Sequence, residues 1–179
     1  MADTERMTPT EALSRRFVMP GELHAPGDGE DVHTHVQRYG FRIGANQLLH
    51  DLNLPVELGE APRCFPLPNS GAWFRGLMNL RGNLVPVFDL ADLIEGEEIR
   101  PRRQMLLVIG SGDRAAGLII DGTPMQISVD TGHRVDDPED VPQVLRDHLR
   151  AAYQFAGGLW LEVDFDALFQ TLARHPHGH

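Results

Sequence analysis

Lysine is missing altogether. All 16 basic side chains are arginines, set against 26 acidic ones, for a formal net charge of −10. A balance this acidic speaks against nucleic acid or an anionic membrane surface as partner, because phosphate binding needs a basic face. Without lysine, the short turn Gly110-Ser111-Gly112 does not make a phosphate loop. Cysteine occurs once, at Cys64. That excludes an intrachain disulfide and a zinc site built on several thiolates, and leaves a buried structural thiol as the expectation. No apolar run approaches the ~18 residues of a membrane helix. Asp3, Glu5 and Arg6 stand where a signal peptide would need an apolar stretch, so the expected location is cytoplasmic, with no direct membrane insertion. Aromatic residues are few, at 7 % with two Trp, so the core is expected to rest on Leu, Val, Ile and Met.

What is present divides into three. Residues 1–35 read as a tail: a short helix from Thr10 to Phe17, then a Gly-, Pro- and acid-rich linker from Gly21 to Asp31. Residues 36–174 carry closely spaced strand signals, and residues 175–179 are a frayed end. From Val36 the chain alternates, and Tyr39, Phe41 and Ile43 share one face. A turn at Gly44-Ala45-Asn46 leads to a returning strand, Gln47–His50. Pro55 then demotes the next segment to an edge or a bulge. Glu95–Arg103 is a charged loop. Gln104–Ile109 is a dense apolar strand, Arg114–Ile120 returns, Asp121-Gly122 is a turn and Pro124–Val129 is a further strand. The acidic run Asp136–Asp140 lacks calcium-loop spacing. Helical spacing of Leu145, His148, Leu149 and Ala152 predicts a helix over Val144–Tyr153. Leu159–Val163 is a strand, and Asp164 caps a last helix burying Phe165, Leu168, Phe169 and Leu172. Short strands joined by tight turns suggest small β-barrels or a sandwich.

The most specific stretch is Phe74-Arg75-Gly76-Leu77-Met78-Asn79-Leu80-Arg81-Gly82-Asn83-Leu84-Val85-Pro86-Val87-Phe88-Asp89-Leu90. Two apolar strands flank the turn signal Arg81-Gly82-Asn83, which reads as a tight hairpin. Asp89 then caps a helical turn, Leu90 to Ile94. This stretch resembles the central motif of the CheW family, whose members couple chemoreceptors to a histidine kinase. Tyr39–Ile43 resembles the family's first strand, and Ala151–Asp164 its late Gly-rich turn, strand and start of the last helix. The likeness covers roughly Val36 to Leu172.

Catalytic readings are weak beside this. Asp89 and Asp92 flank a helical turn, where capping suffices; Asp164 and Asp166 sit at a helix start, where carboxylates favour the dipole. There is no Gly-x-Ser-x-Gly elbow. His33/His35 and His175/His177/His179 lie at the ends and suggest adventitious metal binding only, while His50 and His148 read as surface or satisfied interior histidines. No catalytic residue, cofactor or metal site is expected.

The resemblance implies a mainly β fold, two small five-stranded SH3-like β-barrels packed side by side, with short helices. It implies a non-catalytic adaptor recruited to membrane receptor arrays. Its expected partners are the regulatory domain of a CheA-type histidine kinase and the cytoplasmic tip of a methyl-accepting chemoreceptor. Arg81 would lie near the receptor-contact surface, close to Glu57, beside an apolar groove lined by Leu58, Leu80 and Val85, with Asn79 and Gly82 completing the partner-binding set. Gly40–Gly44 and the long tail resemble more closely the PilI-type adaptors of type IV pilus (twitching) systems. Two alternatives stand: a CheW-like regulatory module for another signalling partner, and a small enzyme with an unrecognised site.

Overall fold

Leu106 and Leu107 are neighbours in the chain, yet they point into different cores. Alternation along a strand sends successive side chains to opposite faces, and here both faces are covered. That is why Met105–Ile109 and Ala116–Ile120 are unbroken apolar runs. The protein is described by a computed structural model over residues 34–61, 63–94 and 104–174, without the side chain of Asp92. Of the tail expected over residues 1–35, residues 1–33 lie outside the described residues, as do the loop Glu95–Arg103 and the end His175–His179, while His35 already opens the first strand.

Nine strands follow in order: β1 (His35–Ile43), β2 (Asn46–Asp51), β3 (Val56–Glu60), β4 (Phe74–Leu80), β5 (Asn83–Phe88), β6 (Gln104–Ile109), β7 (Ala116–Asp130), β8 (Leu149–Phe155) and β9 (Gly158–Val163). Among the described residues three α-helices punctuate them: α1 (Ala91–Ile94), α2 (Gln143–Arg146) and α3 (Phe165–Arg174). The fold is mainly β, as expected. The strands join in the order β3-β6-β7-β1-β2-β9-β8, with the β4–β5 hairpin attached through β5 to β7. Among the described residues the ladders therefore form one open sheet, and two closed barrels do not emerge from them. Instead β7 is shared. Its first residues pair with β6 and β5, and its later ones, Asp121–Asp130, pair with β1. Single bridges, Phe65–Leu77 and Arg134–Tyr153, bring each half towards closure.

Two expectations are corrected here. Asp121-Gly122 is not a hairpin turn, because the strand continues through it. Gly122 adopts φ +73°, and the β1–β7 register shifts between Gly40 and Arg42. The Asp-Gly signal marks the kink where β7 changes partners. Val144–Tyr153 is not a helix beyond the four residues of α2; Leu149–Phe155 is strand β8, paired with β9. Ala151, Ala152 and Tyr153 are all buried, so this strand is covered on both faces, and a short apolar run then carries no period that separates helix from strand.

Three apolar clusters result. One lies inside the β3–β7 half (Met78, Val85, Val87, Leu106, Val108, Ile119) and one inside the other half (Leu49, Val129, Tyr153, Trp160). The largest lies between the halves and under α3. Aromatics, few as they are, concentrate there. Trp73 stacks on Phe88 at 6.0 Å, Phe88 on Phe169 at 5.0 Å, and Phe169, Phe165 and Phe41 continue the chain of rings. The central core thus rests on aromatic contacts as well as on the expected aliphatics.

Candidate functional site

Leu80 pairs with Asn83, so the β4–β5 hairpin closes on two residues, Arg81 and Gly82. Their φ angles are +54° and +89°. Both central residues lie in the left-handed region, as a type I′ turn demands and as strand twist favours. Glycine adopts that conformation freely; for Arg81 it costs on the order of 1 kcal/mol. Asn79 supports the turn, its Oδ1 accepting from the Gly82 N–H at 2.8 Å.

Arg81 Nη2 donates to Glu57 Oε1 at 2.9 Å. Glu57 stands on β3, which among the described residues ends the sheet and has a ladder partner on one side, β6. Both side chains are well exposed, so the pair itself adds no more than about 1 kcal/mol. Its interest lies in what it spans. Beneath it is a concavity of about 260 Å³ whose apolar wall includes Val56, Leu80, Val85, Val108 and Ala115. Glu57, Leu80, Arg81 and Val85 line it together. Asn79 and Gly82 shape the turn outside it, and Leu58 is exposed outside it. Val85, only 1 % exposed, is a core residue that forms the bottom of the concavity.

Sequence reasoning missed a second surface. The Phe65 N–H donates to Leu77 O at 2.7 Å, and the Leu77 N–H donates back to Phe65 O at 2.9 Å. Gly76, at φ +119°, permits this approach, since a Cβ there would lie 2.2 Å from Phe65 O. The backbone of Phe65 is held, yet the residue is 68 % exposed; Leu84 is 67 % exposed and Leu67 is exposed as well. Register places Phe65, Leu77 and Pro86 in one row, with Leu84 two residues on and so on the same face. Beside this apolar face is a cavity of about 390 Å³ lined by Leu67, Trp73, Phe74, Pro86, Phe88 and Leu172, with no charged side chain among the described residues of its wall. The only sequence signal for it was a run of large apolar residues between prolines, which reads as a connector.

The remaining candidates have structural partners. Asp89 is buried; it accepts from the Ala91 N–H at 3.3 Å and takes two hydrogen bonds from the Arg75 guanidinium. Asp164 Oδ1 accepts from the Ala167 N–H at 3.0 Å, capping α3, while its Oδ2 receives Arg150. Burial pushes Asp164 up, but Arg150 and the Ala167 amide outweigh it and hold the carboxyl below its usual range. Cys64 is half-buried, and burial pushes its thiol up, away from the thiolate. Inside the second half, Arg38 bridges Glu162 at 3.1 Å, and the Tyr153 hydroxyl donates to Glu162. Among the described residues no three His, Cys, Asp or Glu side chains gather to hold a metal ion, and no helix is long and apolar enough to cross a membrane.

The profile of the CheW-like domain matches residues 38–173, most of the chain. This chain belongs to the CheW-like family. It is similar to PilI of Pseudomonas aeruginosa, at 36 % identity over 84 residues, 46 % of this chain. That match spans 47 % of PilI, about half its length. It is also similar to the chemotaxis protein CheW of Rhizobium meliloti, at 22 % identity over 135 residues, 75 % of this chain and 87 % of that one. Among solved structures it matches the scaffolding protein TtCheW of Thermoanaerobacter tengcongensis with a TM-score of 0.65 and 16 % identity, covering 82 % of this chain and 93 % of TtCheW. At that identity the likeness concerns the fold alone. The CheW-like match encloses the β4–β5 hairpin, Glu57 and the face around Phe65.

Proposed function

We propose that this CheW-like chain is a non-catalytic adaptor that couples chemoreceptors to a CheA-type histidine kinase at the cytoplasmic face of receptor arrays. The observation that carries the reading is the Glu57–Arg81 pair, held at a hairpin tip over an apolar concavity. A residue kept in the left-handed region, with its guanidinium exposed, is placed for contact rather than for folding. An exposed guanidinium beside an apolar hollow suits a helical receptor tip, which presents apolar anchors flanked by carboxylates. The kinase regulatory domain would take the other surface, where Phe65 and Leu84 stand on a fixed backbone and supply the large apolar anchors that dominate interface energetics. Similarity to PilI, together with the Gly40–Gly44 segment, favours a pilus-directed system. Signal would pass through differential contacts with kinase states, the one means by which an adaptor biases an equilibrium.

Arg81→Glu tests the receptor site. The variant should keep its circular dichroism spectrum and kinase binding, while its affinity for a receptor-tip fragment falls at least about tenfold, ~1.4 kcal/mol. Unchanged capture of the receptor fragment would remove Arg81 from the site. Phe65→Ser with Leu84→Ser should do the reverse, losing the kinase domain and keeping the receptor.

A further inference from the structure

His50 lines neither the 260 Å³ concavity under Arg81 nor the 390 Å³ cavity beside Phe65. It is 2 % exposed, on β2, and its Nε2 is fully buried with no hydrogen-bond partner among the described residues. Its ring meets Phe165, the first residue of α3, edge-on at 5.7 Å. A void of about 10 Å³ beside it is lined by His50, Asp51, Leu54, Arg150, Glu162 and the 163–165 segment. That is at most one water, and an imidazolium cannot gather several waters there without moving a wall. The charged groups facing it come from every element packed around it: Asp51 on β2, Arg150 on β8, Glu162 on β9, and Asp164 and Asp166 at the start of α3. Glu162 is already engaged by Arg38, and Asp164 by Arg150 and the cap of α3.

We propose that His50 is a proton-sensitive latch for α3: neutral, it packs under Phe165 and holds the helix on the sheet; protonated, it draws water or a carboxylate into the site and releases the first turn. Burial disfavours the charged ring more than the surrounding carboxylates favour it, with Arg150 opposing as well, which keeps His50 neutral at neutral pH. Opening then takes up a proton. The stability of the closed form is complete above the ordinary histidine range and is lost as pH falls through it, by up to about tenfold in the opening constant per pH unit. The consequence reaches beyond the helix start. Leu172 and Ala173 of α3 wall the 390 Å³ cavity, and Asp166, Phe169 and Gln170 wall a smaller one of about 180 Å³ under Pro86 and Phe88. Loosening α3 changes both.

Amide hydrogen exchange on the whole chain, corrected for intrinsic rates, tests this between pH 7.5 and 5.5. Amides of α3 should lose protection over that window while those of β6 and β7 do not, and the His50 ring of the closed form should titrate below the ordinary histidine range. His50→Phe, which keeps an aromatic ring against Phe165, should abolish the pH dependence; His50→Gln serves the same purpose if the phenylalanine variant fails to fold. Unchanged α3 protection in the wild type would overturn the proposal, as would the same loss in either variant. Loss confined to pH below about 4 would also overturn it, since it would report the carboxylates of Asp51 and Asp164 and not His50.

Discussion

At the scale of single residues, Arg81 separates two jobs that usually coincide. Its backbone strain and its exposed ion pair are both worth about 1 kcal/mol and act in opposite directions. Arg81→Asn, which tolerates the left-handed region, should therefore leave stability within about 1 kcal/mol of wild type by urea denaturation while still losing the receptor fragment. The Arg38–Glu162 pair predicts the contrary pattern. Glu162 is buried, and Arg38→Met leaves its carboxylate without that cation, with the Tyr153 hydroxyl beside it, for a loss of about 3 kcal/mol; adding Glu162→Leu should restore much of it. Urea midpoints of the two variants decide this, and a double variant no better than the single would show that packing, not charge, matters there. The two pairs also differ in how readable they were. Glu57 and Arg81 could be brought together by the family motif and a count back along the chain. Arg38 and Glu162 are joined only by the order of β1, β2 and β9, which no local pattern encodes.

Among elements, legibility followed the strength of local chemistry. The β4–β5 hairpin, β6, and α3 with its Asp164 cap were readable because turn residues, caps and periodicity agree there. Pro55 rightly pointed to an edge, where β3 lies. The misreadings fell where a local signal met a tertiary one. Asp121-Gly122 has the composition of a turn, but pairing with β1 carries the strand onward, and the Gly44 N–H bonds to the Asp121 carboxylate beside the kink. Gly122 tests the point cleanly. A methyl there meets nothing within 4 Å, so Gly122→Ala should cost about 1 kcal/mol in thermal denaturation through φ alone. No change would mean that the kink is not a constraint on β7.

On the scale of the molecule, the mainly β class was legible from short strands at close spacing, and the number of closed barrels was not, because closure depends on which distant strands share a ladder. Here the sharing falls on β7. Its hydrogen bonds to β5 and β6 and those to β1 belong to one uninterrupted strand, and the central aromatic core packs against both halves. The two halves should therefore melt together. Calorimetry should show one transition with equal van't Hoff and calorimetric enthalpies, whereas two resolved transitions would show that β7 does not bind the halves into one cooperative unit.

That shared strand also sets how force travels. A grip on the arginine hairpin is passed through β5 to one end of a fifteen-residue strand bent at Gly122, whose other end carries β1 and, beyond it, β2 and β9. Two partners holding opposite halves would then not be independent guests: a tug by one arrives at the other as a change in the angle at which it is held.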